Sequence, residues 1–225
     1  MGVAQSIGVI LDGNRRWAKE RGLPTMDGHL EGARRVKDVV GWAKERGHIT
    51  DLFFYTLSTE NWERSPREIE YLILLIELFF KTHGERLVDE GVRVRIAGQR
   101  ERFSRKLQRT FIDIEARTEE HTGLTVWLGL SYGGRAEILD AAYRLSNGKH
   151  IPKEEELKRM MWTADLPDPD VIIRTGGEKR LSNFLTWGSV YSELFFSDTL
   201  WPAFTKDEFN AILDEYEARE RRHGK

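Results

Sequence analysis

Apolar residues in this chain fall into short continuous runs that alternate with longer stretches of helical spacing. Ile7, Val9, Ile10 and Leu11 form the first run and read as a buried strand. Asp12, Gly13 and Asn14 break it, and Arg16-Trp17-Ala18-Lys19 opens a helical pattern. Gly28–Arg46 is predicted as a helix, with Ala33, Val36, Val39, Val40 and Ala43 on one side and Gly47 as its stop. Asp51–Leu57 is an aromatic-rich strand that runs into Ser58-Thr59-Glu60-Asn61-Trp62. Ser65-Pro66 starts a long helix, apolar nearly all round through Phe80, that reaches to about Asp89. Val92–Ala97 alternates as a half-exposed strand, and Phe103–His121 reads as an amphipathic helix. Leu124–Leu130 is a further strand ending in Ser131-Tyr132-Gly133-Gly134, followed by a helix over Arg135–Leu145. Asn147-Gly148 reads as a turn, Ile151–Trp162 as a short surface helix, and Leu166–Pro169 as an extended linker. Asp170–Ile173 and Glu193–Ser197 are the last strands, and Phe204–Arg219 the last helix, before a basic tail.

Strands alternating with helices predict one α/β domain over 1–225, an open and mostly parallel sheet flanked by helices. Four predicted strands end in polar residues: Asp12, Ser58–Asn61, Ser131–Gly134 and Arg174–Glu178. Ligands of open α/β sheets bind at that carboxyl edge, so these segments are expected to share a pocket.

Composition narrows the chemistry mainly by exclusion. The 225 residues carry 35 basic and 37 acidic side chains, a formal charge of −2, so no global field points to nucleic acid. The absence of cysteine excludes disulfides and thiolate metal sites and fits a reducing, cytoplasmic setting. No secretory signal is apparent, and the most apolar segment, Tyr71–Phe80, contains Glu77 and is about half the length of a membrane span. No Walker A sequence and no G-x-G-x-x-G follows the first strand, and the six histidines show no metal-ligand spacing.

The positive signal is arginine. Arg16, Arg64, Arg174, Arg180 and Arg222 fall at polar strand ends or in the tail, beside Gly13, Gly176, Gly177 and Gly224. The rigid guanidinium fork binds phosphate oxygens, so several forks on one edge suggest more than one phosphate. The first turn of a helix after Gly13 offers unpaired N–H groups to an anion. Asp12 would repel that anion unless a divalent cation lay between them, which makes it a candidate metal carboxylate; the alternative is a helix N-cap. Beside such a site, the long apolar helix could line a hydrocarbon tunnel, and a diphosphate head on a hydrocarbon tail describes an isoprenoid diphosphate. Gly129-Leu130-Ser131-Tyr132-Gly133 also matches the G-x-S-x-G nucleophile elbow, with Asp165 or Asp170 and His223 as possible partners. No oxyanion segment of the HGGG kind precedes it, and a glycine-rich turn is the preferred reading.

These residues resemble the cis-prenyltransferases of the undecaprenyl diphosphate synthase type over nearly the whole chain. The resemblance rests on ordered motifs: Ile10–Ala18 (ILDGNRRWA), Gly28-His29, Ser58–Trp62 with Arg64, Tyr132–Arg135, Ile173–Glu178, Arg180–Leu185, Tyr191-x-Glu193-Leu194 and Arg222-x-Gly224. It implies a homodimer that uses Mg²⁺ to condense isopentenyl diphosphate with an allylic diphosphate, farnesyl or geranylgeranyl diphosphate, into a polyprenyl diphosphate. By motif, Asp12 is the essential carboxylate, with Gly13, Asn14, Arg15, Arg16, Trp17, His29 and Arg64 around the allylic diphosphate. Ser58, Thr59, Glu60, Asn61 and Trp62 belong to the reacting centre; Asn61 is the family's assigned proton acceptor, although an amide is a poor base and suits positioning better. Arg174, Arg180, Leu181 and Ser182 match the isopentenyl diphosphate site, Glu193 a second metal carboxylate, and Arg222 and Gly224 a reach across the dimer. Thr25 and Lys179 depart from common arginine and histidine positions. Trp127 replaces a smaller residue and, by strand alternation, faces away from Leu124, Val126 and Leu128. A non-catalytic partner subunit is the alternative within the family, and the presence of Asp12 and Arg222-x-Gly224 speaks against it. The implied location is cytoplasmic, with peripheral membrane contact during product release.

Overall fold

A computed structural model describes residues 2–145 and 153–219. Six strands form one sheet: β1 (Ser6–Ile10), β2 (Asp51–Ser58), β3 (Arg93–Ala97), β4 (Thr125–Tyr132), β5 (Val171–Arg174) and β6 (Glu193–Phe196). Every pairing is parallel and the order is β3-β4-β2-β1-β5-β6. The helices are α1 (Asn14–Glu20), α2 (Thr25–Arg46), α3 (Pro66–Asp89), α4 (Arg105–Arg117), α5 (Gly134–Leu145), α6 (Glu154–Arg159) and α7 (Lys206–Ala218). The strands read as apolar runs because both faces of the sheet are covered.

The larger core lies on the face packed by α2, α3, α4 and α7, where Val9, Phe54, Val126, Leu128 and Ile173 meet Val39, Phe80, Phe111 and Phe209. The other face holds Phe53, Tyr55, Trp127, Ile172, Phe184 and Leu185, beneath the segment 162–185. Trp127 therefore lies opposite Val126 and Leu128, as alternation predicts, and its Nε1 donates to buried Asp51 Oδ1 at 2.9 Å.

Helix boundaries moved where capping chemistry intervened. Ser104 and Thr205 accept hydrogen bonds from Leu107 N and Glu208 N, so α4 and α7 start two residues later than their apolar spacing suggests. Phe103 and Phe204 precede those caps as buried anchors. α2 begins at Thr25, directly after Pro24, three residues before the predicted start. α6 covers only Glu154–Arg159, and the predicted turn at Asn147-Gly148 lies outside the described residues.

The chain leaves β1 toward β2 on one side and later returns to β5 on the other. Strand order reverses between β1 and β5, and a crevice opens at their carboxyl ends. Ile10 pairs there with Arg174, so Asp12 and Arg174 face one another across the crevice.

Candidate active site

Backbone geometry at the end of β1 aims Asp12 into the crevice. The Asp12 carbonyl accepts from Thr175 Oγ1 at 2.8 Å and from Trp201 N at 3.0 Å. Gly13 follows with φ 116°, a conformation that side-chained residues rarely adopt, and it, not Asp12, occupies the cap position of α1. A Cβ on Gly28 would sit 2.1 Å from the Asn14 carbonyl, so α1 rests on α2 through a contact that excludes any side chain. Arg15 and Arg16, on the first turn of α1, are thereby turned toward the same opening.

Asp12 is held by two guanidinium groups. Arg174 Nη2 donates to Oδ2 at 2.8 Å and Arg16 Nη2 to Oδ1 at 3.2 Å. Arg174 is itself buried, and its Nη1 donates to Ser182 Oγ at 2.8 Å and to the Arg180 carbonyl. Ser182, Asn183 and Leu185 all have positive φ (50°, 66° and 40°), strain concentrated in four residues beside a site. Tyr55 donates its hydroxyl to the Ser182 carbonyl at 3.1 Å, and Asn183 Nδ2 donates to Glu60 Oε1 at 2.7 Å; together they tie the strained loop to the ends of β2.

Glu68 organises the second cationic group. Its Oε1 accepts from Arg64 Nη1 at 2.9 Å, lies 3.3 Å from His29 Nε2 and 4.0 Å from Arg15 Nε. Burial pulls this carboxyl upward, but Arg64, Arg15 and His29 outweigh it and hold it below the usual glutamate range. Burial holds His29 below 6.5 and favours its neutral form, despite the hydrogen bond it makes to the Glu68 carboxylate. Sequence reading missed Glu68 because Ser65-x-x-Glu68 has capping spacing, a sufficient local reason for an acid there. Ser65 does cap α3, while the Glu68 carboxylate turns to the site.

All these groups open onto one cavity of about 820 Å³. Its mouth carries Asp12, Gly13, Asn14, Arg15, Arg16, His29, Ser58, Glu60, Asn61, Arg64, Arg174 and Ser182. Its depth is apolar: Val36 from α2, Leu72, Leu75, Ile76, Phe79 and Phe80 from α3, and Leu57, Leu128 and Leu130 from the sheet. Leu57 reaches this face because the β2–β4 register shifts between Tyr55 and Leu57; strict alternation would place it with Phe53 and Tyr55 on the other side. The cavity joins four arginines to a hydrocarbon-lined floor, the shape of a ligand with an anionic head and an apolar tail.

Several predicted residues lie elsewhere. Trp17 is outside the cavity, stacked beneath Arg21. Thr59 packs against Gly133, and Trp62 points behind the 59–63 turn toward Ser131. Arg180 is exposed and paired with Glu178, and Leu181 packs toward the second core. Glu193 pairs in register with Val171, at the amino ends of their strands, and binds Arg219 at 2.9 Å. It is three residues back from the level of Arg174, about 10 Å, so one chain does not bring Glu193 to Asp12. Thr25 opens α2, and Lys179 is exposed. Arg222 and Gly224 lie outside the described residues.

The hydrolase reading fails on geometry. Ser131 is fully buried with its hydroxyl engaged. Asp170 precedes β5 at the opposite edge, accepting from the Gln5 and Ser6 amides.

Known proteins share this architecture and are similar in sequence. The family profile described as "Putative undecaprenyl diphosphate synthase" matches residues 10–224. An isoprenyl transferase of Thermotoga maritima is 44% identical over all of this chain and 98% of its own length. That of Thermus thermophilus is 44% identical over 97% of this chain and 88% of its own. Among solved structures, lavandulyl diphosphate synthase of Lavandula x intermedia, in complex with dimethylallyl diphosphate, superposes with a TM-score of 0.93 at 29% identity, covering 99% of each chain. A probable undecaprenyl diphosphate synthase of Campylobacter jejuni gives 0.84 at 34% identity over the full length of both. The chain belongs to the undecaprenyl diphosphate synthase family of isoprenyl transferases.

Proposed function

We propose that this pocket condenses isopentenyl diphosphate with an allylic diphosphate, farnesyl or geranylgeranyl diphosphate, to give a polyprenyl diphosphate that serves as precursor of a glycosyl-carrier lipid. The observation that carries the reading is the joining, in one cavity, of four arginines, two on Asp12 and two beside Glu68, to a floor of α3 aliphatic and phenyl groups. Ionising an allylic diphosphate breaks a C–O bond and leaves charge on the departing diphosphate. Guanidinium groups at the mouth stabilise that charge more in the transition state than before it. Arg15, Arg16, Arg64 and His29 suit the allylic head, and Arg174 with Ser182 the isopentenyl head. The apolar floor keeps water from the developing cation. Asn61 accepts from the Ser58 amide at 3.0 Å, an arrangement that suits orientation rather than proton removal. The isopentenyl double bond then forms a carbon–carbon bond to the allylic carbon, and the proton lost from the adjacent isopentenyl carbon as the new double bond forms has the released diphosphate or Asp12 as acceptor.

Mg²⁺ fits this chain through Asp12. Magnesium is commonly held by one or two carboxylates plus substrate phosphates, and Asp12 is a part-exposed carboxylate at the mouth of an anion pocket. When bound, the ion would add Lewis-acid stabilisation of the leaving diphosphate. Glu193 does not fit the same ion within one chain, and no group of three His, Asp or Glu side chains gathers among the described residues.

A homodimer is part of the same reading. β6 is an outer strand, and Val190, Tyr191 and Leu194 beside it are 70%, 90% and 40% exposed, an apolar strip suited to a second copy. No helix among the described residues is long and apolar enough to cross a membrane, which suits a cytoplasmic enzyme that meets the bilayer peripherally as product leaves.

Incorporation of radiolabelled isopentenyl diphosphate with farnesyl diphosphate and Mg²⁺ tests the reading, wild type beside Asp12→Ala. The expected result is polyprenyl product lost in the variant and with EDTA. No product from any allylic primer would overturn it. Full turnover in lipid- and detergent-free buffer, unchanged by either, would remove the membrane contact.

A further inference from the structure

The glycine-rich turn at the end of β4 holds a serine that the cavity does not use. Ser131 is fully buried and has φ 51°, a conformation that costs energy for any residue with a side chain. Its hydroxyl accepts from Trp62 Nε1 at 2.9 Å and donates to Gln99 Oε1 at 3.0 Å, so both its capacities are spent on protein. Gln99 N donates in turn to the Ser131 carbonyl at 3.2 Å, lacing the end of β3 to that of β4. The Trp62 ring meets Phe103 edge-on at 5.9 Å and lies 4.5 Å beneath the Arg102 guanidinium.

Trp62 does not reach the cavity; Asn61, immediately before it, does. The 59–63 turn is thus fastened at two points. Asn61 Oδ1 accepts from the Ser58 amide at its start, and the Trp62 indole is bonded to Ser131 at its end.

We propose that Ser131 is a positioning residue for the condensation: through the Trp62 indole it fixes the 59–63 turn so that Asn61 and Ser58 face the bound diphosphates. This rests on the pocket reading given above. The position asks for a small residue, able to take positive φ, that both donates and accepts. Alanine there takes from the Trp62 N–H and the Gln99 side-chain carbonyl the partner that the serine hydroxyl supplies.

Steady-state condensation of isopentenyl diphosphate with farnesyl diphosphate tests it, using Ser131→Ala, Trp62→Phe, the double variant and Asn61→Ala. Ser131→Ala and Trp62→Phe are each expected to lower kcat about tenfold while both KM values stay within about twofold. The double variant is expected to match the worse single variant, because both remove one hydrogen bond. A general loss of fold would instead shift KM and thermal midpoint together. Wild-type kcat in Ser131→Ala, or two losses that multiply in the double variant, would overturn the proposal. If Ser131→Ala does not fold, Trp62→Phe removes the same bond with the serine retained, and wild-type kcat there overturns the proposal equally. Asn61→Ala separates the two levels. If it is impaired while Ser131→Ala is not, only the relay fails; if it keeps full kcat, the reading of the reacting centre fails.

Discussion

Glu68 offers a test in which two physical effects pull in opposite directions. Its side chain is 10% exposed and serves His29 (6% exposed), Arg64 (29%) and Arg15 (60%). Hydrogen bonds to a charged group contribute about 1.5–3 kcal/mol each when buried. The His29 contact deserves the lower part of that range at 3.3 Å, about 1.5–2 kcal/mol. Arg64 is partly screened by solvent and is discounted to about 1 kcal/mol, and Arg15 at 4.0 Å to nothing. Glu68→Ala should therefore cost about 3 kcal/mol, which for a chain of this size lowers the thermal midpoint by about 6–12 °C. Glu68→Gln keeps an acceptor oxygen but not the charge and should cost about half of that. Activity separates the two effects. If the carboxylate only neutralises nearby cations, its removal strengthens the field felt by a diphosphate and lowers KM for the allylic substrate. If it orients the guanidinium groups, Arg64 and Arg15 lose their fixed geometry and KM rises. Orientation should win, because bidentate phosphate binding needs a placed fork more than one further unit of partly screened charge. Scanning calorimetry and allylic-substrate kinetics on both variants measure this. A midpoint within about 2 °C of wild type for Glu68→Ala, or a KM unchanged or lower, would refute the reasoning.

Arg174→Lys should lower kcat/KM for isopentenyl diphosphate by about 100-fold or more, measured by initial rates, because a single ammonium group cannot span Asp12 Oδ2, Ser182 Oγ and the Arg180 carbonyl as the fork does. Trp127→Phe should leave product length unchanged in reverse-phase sizing, since the indole lies on the sheet face away from the cavity. It should still cost about 1–3 kcal/mol in chemical unfolding, because buried Asp51 loses its 2.9 Å donor. His29, held below 6.5 by burial, takes up a proton more readily in the unfolded chain. Its contribution leaves stability intact above that value and removes it as pH falls below. Thermal midpoints should therefore fall between pH 7.5 and about 5.5, and His29→Gln should flatten that slope.

The fold was legible because a parallel sheet covered on both faces writes its strands as continuous apolar runs. All six begin within one residue of where those runs predict. Helix starts were less legible, because Ser104 and Thr205 end the approach to α4 and α7 by accepting backbone hydrogen bonds, a contest between side chain and backbone that apolar spacing does not register. The separation of Asp12 from Glu193 was illegible for a different reason. Both residues stand next to strands in the sequence, but one follows the carboxyl end of β1 while the other opens the amino end of β6. Only the register of Val171 with Glu193 shows that a strand's length separates their levels.

What sequence spacing could least supply are the two places where alternation fails. β2 breaks register between Tyr55 and Leu57, which brings Leu57 onto the cavity face and leaves the Tyr55 hydroxyl on the Ser182 loop. β4 breaks at Ser131, where positive φ turns Tyr132 to the second core although Leu128 and Leu130 belong to the first. In each strand the irregularity falls at the carboxyl edge, where a regular period of two would send consecutive side chains to opposite sides of the sheet. A site with a polar mouth directly above an apolar floor needs neighbouring residues delivered to one side. The β2 bulge accomplishes that delivery for Leu57, while the left-handed Ser131 ends the run after Leu130 by sending Tyr132 to the second core. One departure thus adds Leu57 to the cavity floor, and the other closes that floor beyond Leu130 by returning Tyr132 to the opposite core.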